Sequence, residues 1–316
     1  MLELSNVTKR YASKVAVDAV SFNVRQGRVL GLLGPNGAGK TSTIRMIAYI
    51  TTPDDGVIHF DGKVVGAWSQ RQMGYLPEER GLYRKMRVGD QLEYLARLKG
   101  LSKSDAAAAV RHWLDRFEAS GWYGKKVEEL SKGMQQKVQF IATVAHDPQL
   151  LIFDEPFSGL DPINADLLQN VIVELKEAGR TILFASHRME QVEQLCDDIC
   201  LIADGRILID GSLREVKAAY GRNVVNIEFD GDASFLERME VAGEIRLISR
   251  APHRAEVRLL NGTASRSLLE SAVNHLETIY RFELVEPSLN ELFIAAVTQT
   301  QGAAFSSSRT YTSRTK

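Results

Sequence analysis

"RVLGLLGPNGAGKTSTIRMI", residues 28–47, decides the fold. An apolar run of strand length gives way to a Gly-rich turn and then to a helical stretch, and G-x-x-x-x-G-K-T runs from Gly34 to Thr41 within it. The strand before and the helix after supply the setting this pattern needs. Glycines 34, 37 and 39 allow backbone amides to curl around phosphates, and Pro35, Asn36, Ala38 and Ser42 complete the loop. Lys40 can reach the β and γ phosphates of a nucleotide, and the Thr41 hydroxyl can ligate Mg2+.

A second element should then supply a carboxylate for the metal and a base for water. "LLIFDEP", residues 150–156, ends a buried apolar run in two adjacent acids, a charge that a core would otherwise reject. Asp154 is the metal-side carboxylate and Glu155 faces the water. On its own an Asp-Glu pair after a strand reads as a solvated loop start. Beside a phosphate loop it points to a nucleoside triphosphatase.

"LSKGMQQK", residues 130–137, opens a helix that runs to about His146, where Asp147-Pro148 stops it. Ser131 can serve as its N-cap. The same free amides carry partial positive charge and can form an anion site, with Ser131 and Gly133 small enough to admit a phosphate. The residues alone leave both readings open.

With these motifs in order, the chain resembles the ATP-binding subunits of ABC transporters over about residues 1 to 215. In that family's pattern "LSKGM" is the signature and "SGLD" at 158–161 the D-loop, which puts Asp161 among the nucleotide-binding residues. His187, after the apolar run "TILFAS", is the switch histidine, where a neutral imidazole can donate to the γ-phosphate. Tyr11 stands where the family stacks an aromatic on adenine, a contact worth about 1 to 3 kcal/mol for bases on rings. Read alone, Tyr11 is a strand-end aromatic.

The resemblance also implies partners. Two cassettes pair head to tail, so that the signature of one closes over the γ-phosphate held by the other. The chain carries each half once and must pair with itself or a similar subunit, alongside an integral membrane permease. ATP and Mg2+ are the implied cofactors. Three positions depart from the family: Lys132 replaces a Gly, Met134 a Gln, and "GYLPEER" offers Glu78 where a Gln near Mg2+ is usual. Glu79 is a one-residue rival for that role, and Arg80 is a candidate ion-pair partner.

Composition agrees with this outline. With 316 residues, 44% of them apolar, the chain can fill more than one core. A net charge of -1 gives no electrostatic footprint for nucleic acid, so no nucleic-acid partner is expected. No apolar run of spanning length and no signal-peptide core occur, so a cytoplasmic protein, peripheral on the inner face of the membrane, is the expectation. Cys196 and Cys200 have no third ligand nearby and read as half-buried thiols in a reducing compartment.

The fold class expected is α/β: a P-loop ATPase cassette with a mixed core sheet, an antiparallel β subdomain and a helical subdomain at about 84–147. Apolar runs at 28–33, 150–154, 181–185 and 199–203 read as parallel strands, and 1–27 and 56–65 alternate like antiparallel ones. Residues 222–299 change rhythm to β-α-β-β-α-β, the order of a small α+β ferredoxin-like domain. A last helix opens with Ser288 and Glu291 at capping-box spacing before Leu292, Ala295 and Ala296. Residues 300–316 are Ser/Thr-rich and expected to be disordered. A similar extension marks ATPases of the sodium-extrusion branch of ABC exporters. Dimer support and simple stabilisation are both open for it.

Two functions follow. The first is an ATP-hydrolysing subunit that energises a separate permease, expected to be that of an exporter, by closing and opening a dimer. The alternative is a soluble ABC-type ATPase acting on nucleic acid or ribosomes. Such proteins commonly carry tandem cassettes, coiled coils or basic arms, which this sequence lacks.

Overall fold

The computed structural model describes residues 1–12, 14–79, 81–220, 223–285 and 288–293. Contacts divide the chain into two compact units, with the boundary between Leu213 and Arg214.

The first unit holds two sheets. β1 (Leu2–Tyr11), β2 (Lys14–Val24), β4 (Asp55–Phe60) and β5 (Lys63–Val64) form an antiparallel sheet in the order β2-β1-β4-β5. Their alternating pattern turns Leu2, Leu4, Phe22, Ile58 and Phe60 inward. The second sheet contains β3 (Val29–Leu33), β6 (Met73–Leu76), β7 (Leu150–Asp154), β8 (Thr181–Ala185), β9 (Asp198–Ala203) and β10 (Arg206–Ser212). Its order is β10-β9-β3-β8-β7-β6, parallel except for β10, which makes it a mixed sheet. Every residue of β7 and β8 is buried, which is why these strands read as unbroken apolar runs. β6 and β10 are additions to the four parallel strands expected from sequence.

Inward residues of both sheets share one core with Ile44 and Ile47 of α1 (Lys40–Ile47), the helix that follows β3. Between β6 and β7 lie α2 (Val88–Leu98), α3 (Lys103–Arg116) and α4 (Lys132–Val144). Phe117, Phe140 and Phe153 form a chain of ring contacts that ties α4 to β7. Tyr123 packs so closely on α2 that a Cβ at Gly89 would lie 2.6 Å from its ring. Trp122 lies beneath the Lys137 ammonium. Both aromatics are therefore packing residues. α5 (Pro162–Glu177) and α6 (Met189–Leu195) follow β7 and β8.

Ala185 at the end of β8 pairs with Leu32 of β3 on one side and Asp154 of β7 on the other. The three strands consequently end level. Whatever follows them emerges at one edge of the sheet, where open α/β folds place their ligand sites.

α7 (Leu213–Tyr220) spans the boundary. The second unit then runs β11 (Val224–Gly231), α8 (Ser234–Val241), β12 (Ile245–Ala251), β13 (Arg254–Leu259), α9 (Ser265–His275) and β14 (Leu276–Val285). The sheet order β12-β13-β11-β14, antiparallel throughout, is ferredoxin-like. Val225, Ile227, Phe229 and Val257 pack beneath Phe235 and Leu236 of α8 and Leu268 of α9. Ser288 and Glu291 make the expected capping box, with Ser288 N donating to Glu291 Oε2 at 2.9 Å and Glu291 N to Ser288 Oγ at 3.3 Å. Leu292 is buried. Ala295, Ala296, residues 300–316 and Arg80 lie outside the described residues.

Two expectations need adjustment. α4 ends at Val144 rather than His146, and Asp147 takes a left-handed backbone before Pro148. Cys196 and Cys200 are fully rather than half-buried, and burial pushes both thiols up. Among the described residues no helix is long and apolar enough to cross a membrane.

Candidate nucleotide site

The loop after β3 is shaped by its surroundings. At Gly34 (φ 150°) a Cβ would fall 2.1 Å from the Ile202 carbonyl oxygen, and at Gly39 (φ 111°) 2.4 Å from that of Ala16. Only glycine passes between these two backbones. Lys40 opens α1 and folds back, donating to Gly34 O at 2.7 Å and Pro35 O at 3.1 Å. Burial lowers the pKa of its ammonium, while Glu155, Asp154 and Glu78 favour the charge.

The acids lie across from it. Thr41 Oγ1 stands 3.5 Å from Asp154 Oδ2. Asp154 is buried, and that burial, reinforced by Glu78 and Glu155, pushes its pKa up to about 6. A carboxylate so disfavoured as an anion is stabilised by a cation, and the oxygen set of Thr41 and Asp154 suits a hard divalent one. Among the described residues no group of three or more His, Cys, Asp or Glu forms a metal cage. Mg2+ needs none, because it usually takes one or two protein ligands and completes its shell with water and phosphate oxygens.

Glu155 follows Asp154 with a left-handed backbone (φ 51°), uncommon for a residue with a Cβ. Its amide donates to Ala185 O at 2.9 Å. That turn directs the carboxylate along the sheet edge to the end of β8. There Oε1 accepts from the His187 backbone amide at 2.8 Å and lies 2.7 Å from His187 Nδ1, while Oε2 accepts from Ser186 Oγ at 3.2 Å. The Glu155 side chain is 13% exposed and that of His187 is 64% exposed.

A cavity of about 550 Å3 connects these groups. Tyr11, Asn36, Gly37, Gly39, Lys40, Thr41 and Ser42 line it together with Glu78, Asp154, Glu155 and His187. Its size falls within the range of small-molecule sites. Gly34, Pro35 and Ala38 of the loop are not on its wall. Glu78 rather than Glu79 is on the wall, and the Glu79 carbonyl accepts from Gln139 at 3.3 Å.

Ser131, Gly133 and Asp161 are not on this wall. Ser131 is exposed and caps α4, its Oγ accepting from Met134 N at 3.3 Å. Gly133 lies close to the D-loop, where a Cβ would be 3.6 Å from Gly159 O. Asp161 caps α5 through Asn164 N at 3.0 Å. Sequence reasoning missed Ser186, Lys14 and Ala16. Only their neighbours His187 and Tyr11 could have signalled them.

The ABC transporter family model matches residues 17–158, and that of the C-terminal domain of DrrA1-3-like ATP-binding proteins matches 211–297. The uncharacterized ABC transporter ATP-binding protein YhaQ of Bacillus subtilis is 44% identical over 297 residues, 94% of this chain and 98% of YhaQ. This chain belongs to the ATP-binding proteins of ABC transporters. It is an ABC ATPase cassette, and its reaction is ATP hydrolysis. The ABC transporter ATP-binding protein NatA of Bacillus subtilis is 37% identical, covering 68% of this chain and 91% of NatA. The Nod factor export ATP-binding protein I of Burkholderia pseudomallei is 36% identical, covering 77% and 84%. A solved ATP-binding subunit of an ABC transporter superposes with a TM-score of 0.66 at 30% identity, covering 70% of this chain and 93% of the other.

Proposed function

We propose that this ABC cassette pairs with a second copy and energises a separate integral membrane permease of an exporter, working from the cytoplasmic face. The observation that carries the reading is the separation of two halves. The phosphate loop, Asp154, Glu155 and His187 share one cavity, whereas Ser131 and Gly133 sit on an exposed helix start outside it. An anion-binding helix end with no anion site of its own in front of it suits a phosphate brought by a partner.

Within each site the residues divide the work. The loop amides and Lys40 would hold the β and γ phosphates, Tyr11 would receive the adenine, and Thr41 and Asp154, with Glu78 beside them, would hold Mg2+. When bound, Mg2+ neutralises charge on the phosphates. Glu155 takes the proton from the attacking water, and His187 steadies Glu155 and reaches the γ-phosphate. Asp161 sets the start of α5 at the dimer seam.

A groove between β6, α2 and α4 supports the permease reading. Ile50, Met73, Leu82, Leu95 and Leu98 make it apolar, and Ile50 and Leu98 are more than half exposed. Gln139 Oε1 and His146 Nδ1 are buried there without hydrogen-bond partners among the described residues. The Nod factor export relative supports an exporter, and likeness to NatA supports a position near the sodium-extrusion branch. The domain limits follow: a cassette over 1–215 with its helical subdomain at 84–147, and an accessory domain over 222–299.

Isolating the tagged chain from membranes in mild detergent tests this. The expected result is co-isolation with an integral membrane protein in fixed ratio. Recovery with ribosomes or nucleic acid instead would overturn it.

A further inference from the structure

We infer that Lys14 is a nucleotide-binding residue, its ammonium engaging the phosphate nearest the ribose. This rests on the ATP reading of the cavity. Lys14 opens β2 directly opposite Tyr11 in the β1–β2 register, so base platform and cation share the tip of one hairpin. Both line the cavity, as does Ala16, two residues further along β2 and therefore on the same side of the strand as Lys14. The Ala16 carbonyl is the group that presses on Gly39 of the phosphate loop. Two residues of strand span about 7 Å. Lys14 thus stands one short step from the phosphate loop, on the side toward Tyr11.

Charge points the same way. The other cations of this hairpin end are committed: Lys9 pairs with Asp54 at 2.9 Å and Arg10 with Asp55 at 2.6 Å. Lys14 is exposed, and its side chain has no ion pair or hydrogen bond among the described residues. On the same wall Glu78, Asp154 and Glu155 oppose an anionic ligand. Lys40 is tied to the carbonyls of Gly34 and Pro35. A nucleotide with its base on Tyr11 and its terminal phosphate near Lys40 must lead its first phosphate past the hairpin tip. An ammonium there makes a charge-assisted contact common to ADP and ATP.

Titration of the full-length chain with ADP, ATP and adenosine at low salt tests this. Lys14→Gln should weaken ADP and ATP by the same factor, about tenfold for one exposed charged contact. Adenosine affinity should not change, Lys14→Arg should stay within about threefold of the unsubstituted chain, and the differences should shrink as salt is added. In turnover the loss should fall on KM rather than kcat. ADP binding by Lys14→Gln within twofold of the unsubstituted chain, or a loss confined to ATP, would overturn the assignment while leaving the cavity an ATP site. An unsubstituted chain that binds neither nucleotide would overturn the ATP reading itself.

Discussion

His187 Nδ1 lies 2.7 Å from Glu155 Oε1, the same oxygen that accepts from the His187 backbone amide. An ionised carboxylate can only accept, so the proton of this contact sits on Nδ1. A neutral ring so held has no proton on Nε2 to offer a phosphate. Serving Glu155 and the γ-phosphate together requires both nitrogens protonated. His187→Asn keeps a donor near Nδ1 and His187→Gln one near Nε2. Each should lower kcat about tenfold or more, because each keeps only one of the two contacts. Steady-state ATPase rates check this, and a wild-type rate for His187→Gln would show the Glu155 contact to be dispensable.

The separation of Ser131 from the phosphate-loop cavity has a consequence for mixed chains. Lys40→Ala should weaken ATP binding, and Ser131→Arg should block the signature. Combined in one dimer, the two variants leave one composite site with both halves intact, and some hydrolysis should return. Glu155→Gln should bind ATP, lose hydrolysis and accumulate as a nucleotide-held dimer. Light scattering with ATP, and ATPase rates of proven mixed dimers, test both. No rescue would refute the shared site.

His146 sets an acid limit on stability. It is buried, its Nε2 donating to Met73 O at 3.2 Å, and burial, with Lys99 nearby, pushes its pKa down to about 4. The unfolded side chain titrates near 6.5. Stability from this group is full above pH 6.5 and lost as pH falls toward 4, by about 3 kcal/mol at most. His146→Gln should flatten that slope. Trp68, Trp113 and Trp122 all lie in the first unit, so urea unfolding followed by tryptophan fluorescence at pH 7.5, 6 and 5 reads it directly. A slope equal to that of the unsubstituted chain would refute the assignment.

Legibility in the sequence tracked how local the constraint is. The phosphate loop was readable because Gly34 and Gly39 must be glycine where Ile202 O and Ala16 O crowd them. β7 and β8 were readable because both faces are covered. β6 was not: it has four residues, one of them Gly74, whose Cβ would meet Thr143 O at 2.4 Å. β10 is a half-buried edge with an irregular register, so it shows no clean period. Ser186 and Lys14 carry no pattern at all. Their relation to Glu155 and to the cavity arises only when β8 and β2 are brought beside the loop.

Glu78 supplies the last test. It lines the cavity and, after burial, is the largest contributor to the raised pKa of Asp154, whereas Glu79 is absent from the wall. A carboxylate whose charge is disfavoured by burial and a neighbouring acid is stabilised by a nearby divalent cation. A Gln in place of Glu78 keeps the shape, relieves the repulsion and removes one negative charge from the cation's surroundings. Glu78→Gln should therefore raise the Mg2+ concentration for half-maximal hydrolysis, about threefold to tenfold, while Glu79→Gln should leave it unchanged. Titrating Mg2+ against ATPase rate for both variants separates the possibilities. An unchanged midpoint in Glu78→Gln would exclude a metal-side role and leave Glu78 as a surface acid at the entrance.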